Sequence, residues 1–136
     1  MREGDLEQAN LRLQKGYEKI RQAQARFEGR YLANAEIILV AYGSMARIAK
    51  GAISKLREAG KKVGLIRPIS LWPFPEKPFH RKGGKLKYLV LEMSSGQLLE
   101  DVRLAVSGKH PVEFLGRSGG GVPSEEQIID RVKKIL

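Results

Sequence analysis

"EIILVAYGSMARIAKGAISKLREAG", residues 36–60, sets an unbroken apolar run directly against a helical one, with Tyr42-Gly43-Ser44 as the joint. Apolar, β-branched residues without polar alternation belong to a strand buried on both faces. From Met45 onward the period changes. Met45, Ile48, Ala49, Ala52, Ile53 and Leu56 fall on one helical face, and Gly60 is placed to cap its C-terminus.

The alternation continues downstream. "KVGLIRP" (62–68) is a second strand ended by Pro68, and "KYLVLEM" (87–93) is a third. "GQLLEDVRLAVSG" (96–108) is a helix with Leu98, Leu99, Val102, Ala105 and Val106 inward, and "PVEFLG" (111–116) is a fourth strand. Ser124 and Gln127 form a capping-box pattern before a last helix buried through Ile128, Ile129, Val132, Ile135 and Leu136. Strands and helices alternating at this spacing imply right-handed crossovers, hence an α/β fold. The expected architecture is a three-layer α/β/α sandwich on a mostly parallel sheet. Upstream, residues 3–28 read as an extra N-terminal helix carrying Leu6, Leu13, Tyr17, Ile20 and Phe27, with Gly29 as its stop. The expected organisation is a helix and linker over 1–34 and the α/β domain over 35–136.

Composition bounds the function. The 136 residues suffice for one domain with a real core, and 42% hydrophobic with 29% charged residues is ordinary for a globular protein. The longest apolar runs, "IILVAY" and "YLVLEM", are too short for a membrane span. Met1 is followed by polar "REGDLEQANLRLQ", so no signal peptide and a cytoplasmic location are expected. With no cysteine, the chain has no disulfide, thiolate zinc site or cysteine-held iron–sulfur cluster of its own, and two histidines make no metal site. The net charge of +10 invites nucleic acid, but Lys and Arg are scattered, and the densest stretch, "HRKGGKLK" (80–87), reads as a solvated loop. No nucleic-acid partner is expected; the basic surface faces solvent or an acidic partner.

In parallel sheets, ligands sit beyond the carboxyl ends of the strands. Those ends carry Gly43-Ser44, Arg67-Pro68, Glu92-Met93-Ser94 and Gly116-Arg117. One glycine does not make a dinucleotide fingerprint, and no P-loop is present. Ser44 is expected to cap the helix by accepting a backbone N–H, while the helix start with Arg47 one turn on offers an anion seat. Arg117 with Gly119, Gly120 and Gly121 makes either an anion nest or a connection that passes close to a neighbour; the second is preferred. Ser44, Ser94 and Ser95 lack a positioned histidine, so no catalytic residue is assigned. Glu92 has no partner carboxylate and is expected to accept N–H groups of an adjacent turn. "LWPFP" (71–75), stiffened by its prolines, presents Trp72 and Phe74, with Phe79 beyond, either to a partner protein or to the domain's own core.

Three stretches, 35–75, 88–106 and 114–128 ("FLGRSGGGVPSEEQI"), resemble together the second domain of the α subunit of 2-oxoacid:ferredoxin oxidoreductases. The resemblance runs over about residues 15–136 in the family's order. It implies the transketolase C-terminal-like fold, with one antiparallel edge strand. Since the pattern yields four strands, the fifth is expected near "RYLAN" (30–34). It also implies a machine that decarboxylates a 2-oxoacid on thiamine diphosphate and Mg, passes electrons through iron–sulfur clusters to ferredoxin, and forms an acyl-CoA. This chain is similar to one non-catalytic part of it. A scaffold and interface role beside the other subunits is therefore expected, with none of those cofactors held in this chain, which reads as a truncated subunit or a piece of one. Self-association through the N-terminal helix is expected as well. "RPISLWPFP" (67–75) is closer to the 2-oxoglutarate and branched-chain members than to the pyruvate ones. In Glu92-Met93-Ser94-Ser95-Gly96-Gln97 the family often has Asn in place of Ser94, which reaches less far toward a neighbouring domain. The interface or anion candidates are thus Gly43, Ser44, Arg47, Glu92, Ser94, Gly96, Gln97, Arg117, Gly119 and Gly120. The competing reading is a stand-alone module that binds CoA or a nucleotide.

Overall fold

The structure is a computed structural model that describes residues 4–93, 96–116 and 121–136. In chain order its elements are α1 (Asp5–Gln24), β1 (Phe27–Arg30), β2 (Ile37–Val40), α2 (Gly43–Glu58) and β3 (Val63–Pro68). A 3-10 turn (Lys77–Phe79), β4 (Lys87–Glu92), α3 (Gln97–Val106), β5 (Val112–Gly116) and α4 (Glu125–Ile135) follow. The five strands lie in the order β1-β3-β2-β4-β5. β2, β3, β4 and β5 run parallel, and β1 pairs antiparallel with β3 at the edge, Phe27 opposite Pro68 and Arg30 opposite Leu65.

Two boundaries differ from the sequence expectation. Helix α1 stops at Gln24, and the fifth strand lies at Phe27–Arg30 rather than at 30–34. Phe27 continues the seven-residue spacing of Leu6, Leu13 and Ile20, so the helical pattern runs on through it. Pairing with β3 overrides that pattern, because the backbone groups of "FEGR" close the sheet edge that β3 would otherwise leave open.

The core shows why β2 reads as continuous apolar sequence. Ile37 and Leu39 face one cluster with Leu65, Leu89 and Leu91, which α2 covers with Met45, Ala49, Ile53 and Leu56 and α4 with Ile128 and Val132. Ile38 and Val40 face the other cluster with Ile66, Tyr88 and Val90, covered by Leu98, Val102 and Val106 of α3 and by Phe79. Both faces of the strand are dry, so no position can be polar. The helices therefore form two layers around the sheet, as expected. The proline-rich loop divides: Phe74 and Phe79 stack on each other (5.6 Å between centroids) and fold onto the core, whereas Trp72 stays 72% exposed. No helix among the described residues is long and apolar enough to cross a membrane.

Candidate functional site

The strand order reverses between β2 and β4. From β2 the chain crosses through α2 to β3; from β4 it crosses through α3 to β5 on the opposite face of the sheet. Two parallel units diverging in this way leave a crevice beyond their carboxyl ends. Here it is a cavity of about 260 Å³ lined by Tyr42, Gly43, Ser44, Met45, Leu91, Glu92 and Met93. Of the candidates read from sequence, Gly43, Ser44 and Glu92 meet in it. Gly96 and Gln97 stand beside it as the N-cap and first residue of α3. Arg47 is exposed one turn along α2 and does not line the cavity. Ser94, Arg117, Gly119 and Gly120 lie outside the described residues.

Glu92 is the one buried charged side chain among the described residues, 1% exposed at the end of β4. Its Oε1 accepts the backbone N–H of Leu98 at 2.8 Å and its Oε2 that of Leu99 at 3.4 Å. The first turn of α3 has orphan N–H groups, and its N-cap, Gly96, has no side chain to satisfy them. The preceding strand supplies the carboxylate instead, which the helix dipole also favours. Glu92 thus performs the turn-bonding role expected of it. Its negative charge occupies the anion seat at the head of α3.

The head of α2 is different. Its N-cap is Tyr42, in extended conformation (φ −131°, ψ 167°) with no side-chain cap bond, and its first turn has no acidic residue. Ser44 is not the cap, contrary to expectation. Helical bonding starts at Gly43, whose φ of +60° makes the sharp turn, and this places Ser44 inside the first turn with an exposed side chain. One helix start at the crevice is filled by the protein itself, and the other lacks a side-chain cap.

Among the described residues no histidine is bonded to Ser44. His80 is exposed, and His110 Nε2 is taken by the carbonyl of Arg81 at 3.0 Å, far along the chain from Ser44. Among the described residues no group of His, Asp and Glu is placed to hold a metal ion. Burial, with the charges of Glu100 and Glu92 added, pushes the Asp101 carboxyl up.

Sequence reading missed Glu28. Its carboxylate meets Lys50 of α2 at 2.8 Å, Arg67 of β3 at 2.9 Å and Arg30 at 3.0 Å. The hydrogen bond from Lys50, joined by that from Arg67 and opposed by desolvation, lowers the Glu28 pKa to about 2. The ion cluster ties edge strand β1 to α2 and β3. Apart from Arg30, its partners come from other elements, so no local spacing announced it.

The segments that follow the parallel strands expose apolar side chains: Ile69, Leu71 and Trp72 after β3, Met93 after β4, where it lines the crevice, and Val122 between β5 and α4.

The family described as "Pyruvate:ferredoxin oxidoreductase core domain II" matches residues 35–128. Ketoisovalerate oxidoreductase subunit VorB of Methanothermobacter marburgensis is 39% identical over 132 residues, 96% of this chain and 37% of that protein. The 2-oxoglutarate synthase subunit KorA of Methanocaldococcus jannaschii is 36% identical over 103 residues, 76% of this chain and 28% of that protein. Among solved structures, the 2-oxoglutarate:ferredoxin oxidoreductase from Magnetococcus marinus, with 2-oxoglutarate, coenzyme A and succinyl-CoA bound, superposes with a TM-score of 0.73 at 27% identity. That match covers 86% of this chain and 21% of the other. A split-gene transketolase, an inactive β4 tetramer, shares the fold with a TM-score of 0.62 at 19% identity, over 80% of this chain and 40% of that one. The chain spans about 37% of the length of the VorB relatives it matches.

Proposed function

The chain belongs to the pyruvate:ferredoxin oxidoreductase core domain II family, and from that premise we propose that it is the scaffold and interface domain of a 2-oxoacid:ferredoxin oxidoreductase. One observation carries the reading. The segments that follow the parallel strands expose Ile69, Leu71, Trp72, Met93 and Val122, and the buried polar group of the crevice, Glu92, is spent on holding α3. Apolar side chains exposed on successive segments at the carboxyl ends of the strands suit cover by another polypeptide.

The enzyme as a whole would decarboxylate a 2-oxoacid on thiamine diphosphate and Mg, and pass electrons through iron–sulfur clusters to ferredoxin as the acyl-CoA forms. The residues here do not fit those groups. No cysteine is available to hold a cluster, and Glu92 already serves the protein's own backbone. No step of the chemistry is therefore routed through this chain. A branched-chain 2-oxoacid is the favoured substrate class. The VorB relatives align over 96% of the chain at 37–39% identity, whereas KorA relatives align over 57–76% at 31–38%. A cytoplasmic location, beside the other subunits, goes with the same reading. The competing reading, a stand-alone CoA or nucleotide module, has the uncapped head of α2 and Arg47 in its favour. Against it, the crevice's buried group is a carboxylate, which repels a phosphate.

The test is reconstitution with the companion subunits encoded by the same genome. The chain should co-elute with them, and the assembled complex should reduce a viologen dye when given 2-oxoisovalerate and CoA. The chain alone should release no carbon dioxide from any 2-oxoacid and give no heat with thiamine diphosphate or CoA. Turnover by the isolated chain would overturn the scaffold role. A companion set that is active yet never retains the chain would overturn the interface role.

A further inference from the structure

Helix α1 leaves its apolar side chains unused within the chain. Leu6, Leu13, Tyr17 and Ile20 are between 37% (Ile20) and 63% (Leu6) exposed. Leu6, Leu13 and Ile20 recur every seventh residue; Ala9, Gly16 and Ala23, each three residues later, recur at the same interval. A strict seven-residue repeat of two positions is the seam of a helix that packs along another helix. Here one position of the repeat is large and the other small.

Gly16 is the informative member. Glycine in mid-helix is unfavourable, so its retention needs a reason. A Cβ on Gly16 would meet nothing within 4 Å. The space it leaves is open: a shallow groove of about 270 Å³ lined by Arg12, Leu13, Gly16, Tyr17 and Ile20.

We propose that α1 pairs antiparallel with the α1 of a second copy of this chain, about a twofold axis between residues 14 and 15. In that register every layer sets a large residue on a small one: Leu6 on the second copy's Ala23, Leu13 on its Gly16, Ile20 on its Ala9, and the symmetric three. A parallel pair would stack large on large and small on small. Charge selects the same direction. The first turn of α1 carries Asp5 and Glu7, and its second half carries Lys15 and Lys19 with Glu18 between them. In the same register Glu7 comes within about one helical turn of the second copy's Lys19, and the two helix dipoles oppose. Leu11 lies off the seam and takes no part.

The absence of native cysteine makes the geometry readable by disulfide cross-linking of the full chain. Ala9→Cys and Ile20→Cys chains, mixed and oxidised, should give a cross-linked heterodimer, and neither alone should cross-link. A homodimer of Ile20→Cys would mean parallel pairing and would overturn the proposal. Gly16→Leu offers a second reading, because leucine is the better helix former and adds apolar surface. The proposal expects self-association by sedimentation equilibrium to weaken about tenfold or more, since the receiving groove is filled. Unchanged or tighter association would contradict it. So would a strictly monomeric mass for the wild-type chain at every concentration, which would leave the stripe to a different subunit.

Discussion

The two ends of the parallel strands carry opposite surfaces. The segments following the carboxyl ends expose Ile69, Leu71, Trp72, Met93 and Val122, and Met93 also lines a small crevice. At the amino ends, the segments entering β3, β4 and β5 expose Lys61, Lys62, Lys82, Lys85 and Lys109. The core between them is one continuous apolar sheet, so the difference is a property of the loops alone. The lysine-rich end presents charge to water and contributes to the +10 net charge of the chain. On the proposed reading the apolar end is the one a companion subunit covers. On that reading one fold separates the task of facing water from the task of holding a partner.

The largest expected effect breaks the frame that keeps the ends apart. Leu39→Ala, in a strand that is fully buried, should cost about 2–5 kcal/mol by urea denaturation, because the site is held on both faces and cannot collapse. Next comes the carboxyl end itself. Glu92→Gln keeps the shape but loses the charge at the head of α3, and should cost about 1–3 kcal/mol. Its amino-end counterpart Glu36→Gln, which breaks an exposed 3.6 Å ion pair with Lys62, should stay within about 0.5 kcal/mol. Equal losses at the two sites would erase the proposed contrast.

A pH titration sharpens it further. The folded-state pKa of Glu28 is about 2, below its ordinary value of 4.5, so the unfolded chain takes up the proton first. The stability gained from Glu28 is present above pH 4.5 and is lost as pH falls from there toward about 2. Wild type minus Glu28→Gln, measured by chemical denaturation, should therefore be constant near neutral pH and shrink through that window. The carboxylate is partly open to solvent, which limits the size of the gain. The smallest effect on stability is expected at Trp72. Trp72→Ser should change the unfolding free energy by no more than about 0.5 kcal/mol, since the ring touches mainly water, while weakening retention by companion subunits.

Much of this was legible in the residues. "EIILVAY" could only be a central strand, and the capping box at Ser124 and Gln127 formed as read, Ser124 Oγ accepting the Gln127 N–H at 3.2 Å. Glu92 was legible too, because a lone carboxylate at the end of an apolar strand needs donors, and the next helix start provides them. Three features were not. The Leu6–Leu13–Ile20 spacing carried the helix through Phe27, and only the open edge of β3 turns "FEGR" into a strand. Ser44 looked like a cap because such residues usually are, but the cap position depends on where Gly43 bends the chain. The Glu28 cluster joins residues 22 and 39 positions apart, a proximity the topology alone creates.

Oxidative footprinting of the chain, alone and assembled with its companion subunits, tests the division of labour most directly. Trp72 and Met93 should lose most of their hydroxyl-radical reactivity on assembly, while Lys61, Lys62 and Lys85 keep their reactivity toward amine-labelling reagents. Undiminished oxidation of Trp72 and Met93, with protection of those lysines instead, would place the partner at the wrong end of the sheet and contradict the account.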